Sequence, residues 1–81
     1  MNEEKIFCIG QDVFFPGNHF IGLVTRLFYS SEGQVTHLAI RTARLLGYHK
    51  TVPVEYVSKA NSKGVSLVID KDRFRELPDY K

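Results

Sequence analysis

The sequence predicts a mostly β fold: a small barrel of about six short antiparallel strands with one short C-terminal helix. Three observations predict it. The apolar runs are short and rich in β-branched and aromatic residues. Turn-forming clusters, Pro16-Gly17-Asn18, Ser30-Ser31-Glu32-Gly33 and Asn61-Ser62-Lys63-Gly64, recur at short and fairly even intervals. Helical spacing appears only after Asp70, where Phe74 and Leu77 lie three apart and Pro78 follows.

Taken in order, residues 1–10 form an entry segment in which Ile6, Phe7 and Ile9 are positioned to cover one end of the core. Gln11 to Phe15 is a short strand with Val13 inward, stopped by the Pro16 cluster. Phe20 to Tyr29 is the longest strand. Strict alternation puts Ile21, Leu23, Leu27 and Tyr29 on one face, with Val24 and Phe28 on the other, so both faces are apolar. A bulge near Thr25-Arg26 resolves the conflict by bringing Val24, Leu27 and Tyr29 to the core side, leaving Leu23 and Phe28 outside. Gly22 suits a close approach of two backbones. Gly33 suits the positive φ of a tight turn.

Val35 to Arg41 returns with Leu38 and Ile40 inward, joined by Thr36, or by Val35 through a second bulge. Ala43 to Lys50 is irregular but contains the apolar run Leu45-Leu46-Gly47-Tyr48. Thr51-Val52-Pro53 is extended, and Pro53 confines it to an edge or a strand end. Glu55-Tyr56-Val57 continues into a turn or short strand. Val65, Leu67 and Ile69 alternate as a half-buried strand. Asp70 caps a helix from about Lys71 to Glu76.

Composition sets further bounds. With 81 residues the chain has room for one domain, and its 43% apolar content separates it from disordered chains. Residues 11–81 constitute that domain. The single cysteine, Cys8, forms no internal disulfide, which points to a reducing cytoplasm. The acidic start, Met1 to Lys5, lacks the pattern of a secretory signal, and no apolar run approaches the ~20 residues of a membrane span. The net charge of +2 is unevenly spread: residues 1–19 are acidic, and residues 20–54 carry Arg26, Arg41, Arg44 and Lys50 against Glu32 alone. That excess falls well short of the dense basic stripe of a strong nucleic-acid binder.

Four stretches resemble one family: Phe20-Ile21-Gly22-Leu23-Val24-Thr25-Arg26-Leu27, Val35-Thr36-His37-Leu38-Ala39-Ile40-Arg41, Thr51-Val52-Pro53-Val54-Glu55-Tyr56-Val57, and Val65 to Ile69 running on through Phe74 to Pro78. In order and spacing they resemble the PRC-barrel domains, named after the H subunit of the photosynthetic reaction centre, and especially the short stand-alone bacterial members. The likeness covers residues 11–80. Many members have acids near the positions of Arg26 and Ser30; this chain has none there, so contacts built on those acids do not carry over. The resemblance implies a PRC-barrel-like barrel and a docking role rather than chemistry. Its members include a photosynthetic subunit domain, the C-terminal domain of a ribosome maturation factor that binds a small-subunit ribosomal protein, and short proteins of unknown role.

The chemical residues point the same way. His19, His37 and His49 do not pair with one another or with Cys8 at a metal-ligand spacing, so no metal or cofactor is expected. Cys8 sits between Phe7 and Ile9, the setting of a buried or half-buried structural thiol rather than a nucleophile. The acids Asp70, Asp72, Glu76 and Asp79 alternate with Lys71, Arg73 and Arg75, as solvated charge pairs around a helix cap do. The glycines are isolated and form no phosphate loop.

The leading expectation is a non-enzymatic docking module that binds another protein or self-associates through Leu23, Phe28, Leu45, Leu46 and Tyr48. The alternative is a ribosome- or RNA-associated accessory factor that holds phosphate with Arg41, Arg44 and Lys50 and stacks a base on Tyr48. A small enzyme is the third reading and requires His or Cys to converge with carboxylates in a pocket.

Overall fold

The computed structural model describes residues 5–42 and 49–80. Its strands are β1 (Asp12–Phe15), β2 (His19–Tyr29), β3 (Val35–Thr42), β4 (His49–Pro53), β5 (Val57–Asn61) and β6 (Gly64–Leu67). A 3-10 turn, Val54–Tyr56, links β4 to β5, and the helix α1 (Lys71–Arg75) follows β6. The mostly β expectation holds, with two corrections. The six strands form one mixed sheet in the order β4-β3-β2-β1-β6-β5, curled into a half-barrel and not closed. The strands are not all antiparallel, because β6 lies parallel to β1, pairing Val13 with Val65 and Phe14 with Ser66.

Register shifts create the curl. Val24 and Arg26 oppose Ile40 and Ala39, so Thr25 is the extra residue of a bulge. Val24 is buried and Leu27 packs against the core, as expected of a bulge near Thr25-Arg26. A second shift lies between Phe28 and Tyr29 opposite His37 and Val35, and Val35 joins the core through it. Tyr29, the last residue of β2, is nonetheless 59% exposed, correcting its expected place on the core side. Further shifts occur between Val13 and Phe14 in the β1–β2 pair and between Val57 and Lys59 in the β5–β6 pair.

The concave side holds the core: Val13, Val24, Leu38, Ile40, Val52, Val57, Val65 and Leu67, closed below by Ile69 and Phe74. Phe15 meets Phe74 edge to face at 5.5 Å and ties β1 to the helix. The Asp70 carboxylate accepts from the Arg73 N–H at 3.0 Å, which is the expected N-cap. Cys8 is exposed, contrary to expectation, because the segment before β1 lies outside the sheet.

Both sheet edges are covered by flanking chain. Along β5, the Ile6 N–H donates to the Ala60 carbonyl at 3.0 Å, Lys5 Nζ donates to Val57 O at 2.9 Å, and Gln11 Nε2 donates to Asn61 O at 2.9 Å. Along β4, the Thr51 N–H donates to Pro78 O at 2.9 Å and the Tyr80 N–H to His49 O at 2.6 Å. Lys50 fastens this second cover. It is buried on the core side, and its ammonium donates to Arg75 O at 3.1 Å and Leu77 O at 3.0 Å while pairing with Asp79 at 2.7 Å.

Two substitutions check these constraints. A Cβ on Gly22 would sit 2.0 Å from the Arg41 carbonyl oxygen, backbone that moves only if β2 and β3 separate. Gly22→Ala is expected to lower stability by about 3 kcal/mol in urea unfolding. Lys50→Met removes the ammonium from two part-buried carbonyls and from Asp79 and is expected to cost about 2 kcal/mol. Asp79→Asn, at a side chain 64% exposed, is expected to cost less than about 1 kcal/mol.

Candidate functional site

On the convex side of the sheet, side chains at paired positions point the same way, so the registers define rows across it. One row runs Asp12 on β1, Leu23 on β2, Arg41 on β3 and His49 on β4. Leu23 is 42% exposed although its neighbours Gly22 and Val24 are buried, which places it outward as expected. Phe20 lies further back along β2, is 50% exposed, and meets Phe14 of β1 edge to face at 5.9 Å. Phe14 in turn lies over Gly64, where a Cβ would come within 2.9 Å of its ring. Phe14, Phe20 and Leu23 thus form an apolar strip along β1 and β2.

Asp12 and Arg41 flank this strip from the neighbouring strands and are both exposed. Among the described residues, neither the Asp12 carboxylate nor the Arg41 guanidinium has an ion-pair or side-chain hydrogen-bond partner. Leu23 lies between them.

The part of the convex face around Phe28 is covered. Phe28 points outward, as expected, but is half-buried: Tyr80 meets its ring at 5.8 Å, and the Arg26 guanidinium lies 5.5 Å from the ring centre. Arg26 Nη1 donates to the Tyr80 hydroxyl at 2.8 Å. Tyr80 also packs on His49 at 4.7 Å, and His49 Nε2 stands 2.6 Å from Thr25 Oγ1. Thr25 Oγ1 donates to Ala39 O at 3.3 Å, within the bulge. Tyr80 therefore covers the part of the face to which Phe28 belongs.

Of the sequence-derived candidates, the fold brings Leu23 and Arg41 together in one row and separates Phe28 from them beneath Tyr80. Lys50 faces the core, and its ammonium is held by oxygens of the 75–79 segment, away from the surface on which Arg41 lies. Leu45, Leu46 and Tyr48, together with Arg44, lie outside the described residues. Asp12, Phe14 and Phe20 were not among the candidates. Alternation about Val13 marks Asp12 and Phe14 as outward, but their place beside Leu23 depends on pairings between segments distant in sequence.

Elsewhere, a shallow depression is lined by Tyr56, Val68 and Ile69 with Asp70, Asp72, Arg73 and Glu76 at the start of α1. Among the described residues no group of three or more His, Cys, Asp or Glu is placed to hold a metal ion, and no helix is long and apolar enough to cross a membrane. No family model matches the chain, and no curated protein does.

The cover over Phe28 is open to test. Tyr80→Ala is expected to lower stability by about 1 kcal/mol and to raise the fluorescence of an apolar surface dye. An unchanged dye signal would show that Tyr80 does not shield Phe28.

Proposed function

We propose that this chain is a non-enzymatic docking module, PRC-barrel-like in fold, that works in the cytoplasm and binds protein through the convex face of β2. The observation that carries this reading is the Phe14–Phe20–Leu23 strip, in which Phe20 and Leu23 are exposed and Phe14 is half-buried. Neighbouring apolar surface on the same face is covered by Tyr80, and both sheet edges are covered by flanking chain, yet this strip is bare. A contiguous apolar strip flanked by charges has the composition of an interface centre with a polar rim. The resemblance of residues 11–80 to PRC-barrel domains supports the same reading, since docking is what those domains share. The lone Cys8 supports the cytoplasm.

The test compares the wild-type chain with Leu23→Asp and Phe20→Ser, each checked for an unchanged circular dichroism spectrum. Association, measured by sedimentation for self-contact and by retention of a defined protein from the source organism's extract, is expected to weaken by at least about tenfold in both variants. Identical sedimentation and identical retained proteins in all three chains would overturn the reading.

A further inference from the structure

The row across the bare strip carries opposite charges at its two ends. Asp12, Leu23 and Arg41 occupy adjacent strands at paired positions, all on the convex side. Strands stand about 4.8 Å apart, so the two charged residues flank Leu23 symmetrically, about 10 Å from each other. This surface is complementary to itself. A rotation of 180° about an axis along β2 brings a second copy face to face, with Leu23 on Leu23, Asp12 opposite the second copy's Arg41, and Arg41 opposite its Asp12. The same axis lays the exposed Phe20 against its equivalent. An axis along the row, perpendicular to the strands, would instead set Asp12 against Asp12 and Arg41 against Arg41. Only the first arrangement matches charge, and it is isologous, the usual form of a two-fold dimer.

We infer that the occupant of the strip is a second copy of this chain, docked about a two-fold axis parallel to β2, with Leu23 at the centre and two Asp12–Arg41 pairs at the rim. This inference rests on the docking reading of the same face. Phe20 and Leu23 are arrayed along β2, the direction of that axis, and two convex half-barrels meet over a small area. A contact of this shape is narrow, so the dimer is concentration-dependent rather than obligate.

Charge reversal tests the arrangement by analytical ultracentrifugation. The wild-type chain is expected to gain mass toward the dimer as its concentration rises. Asp12→Lys alone and Arg41→Glu alone each set like charges opposite one another twice, and each is expected to weaken association by at least about tenfold. An equimolar mixture of the two variants restores both opposite-charge pairs and is expected to dimerise at concentrations where each alone is monomeric. The chain carrying both substitutions is expected to self-associate like the wild type, which guards against a single variant that misfolds. A wild-type chain monomeric up to its solubility limit would overturn the inference. So would a dimer indifferent to both reversals, or one that the mixture fails to restore. A monomer that still loses a retained protein on Leu23→Asp would overturn the second copy as occupant and leave the docking reading in place.

Discussion

The fold depends on a short link between the two ends of its sheet. β4 and β5 stand at opposite edges of a six-stranded sheet, and in a flat sheet their axes would be about 24 Å apart. The chain passes from Pro53 to Val57 through the three residues of one 3-10 turn. Even fully extended, those four steps reach only about 14 Å. The sheet must therefore curl until its edges approach. The extra residues in β2, β3 and β5 supply the bend, and the Gly22–Arg41 contact lets two backbones meet where a side chain would hold them apart.

Curling fixes which surfaces remain available. The concave side is filled by the core and closed by Phe74 of α1. The edges do not pair with each other; β5 is bonded by Lys5 and Ile6, and β4 by Pro78 and Tyr80. Open edges invite indiscriminate strand addition, and covering them removes that route. The convex face is divided by Tyr80 into a covered part over Phe28 and an open part around Leu23. Contact through a face depends on particular side chains and their charges, and is more selective than contact through backbone.

Local features of this architecture were legible in the sequence. The double apolar character of Phe20–Tyr29 pointed to a bulge near Thr25-Arg26, and Asp70 with Phe74 and Pro78 marked the helix and its limits. Pro53 was expected at an edge or a strand end, and it is the last residue of the edge strand β4. Each of these follows from residues within a few positions of one another. The parallel β1–β6 pair, the cover by Tyr80 and the burial of Lys50 were not legible, because each joins parts of the chain remote in sequence. Lys50 shows the difficulty: in an extended segment a lysine beside His49 reads as surface charge, and the carbonyls of Arg75 and Leu77 with the Asp79 carboxylate make its burial tolerable. The site was half legible for the same reason. Leu23 followed from the bulge, whereas its neighbours Asp12 and Phe14 belong to another strand.

The parallel pairing of β1 with β6 also bears on the order in which the chain acquires its shape. β2, β3 and their turn form a local hairpin, stabilised as soon as Ser30 to Gln34 closes. The β1–β6 contact joins remote parts of the chain; Gln11 and Asn61, bonded beside it, stand 50 positions apart. Closing so long a loop costs entropy that no local contact offsets, and it slows assembly. The β1–β6 pairing is thus expected to form after the β2–β3 hairpin, and weaker amide protection at Val65 than at Leu38 would mark it as the less stable part of the sheet.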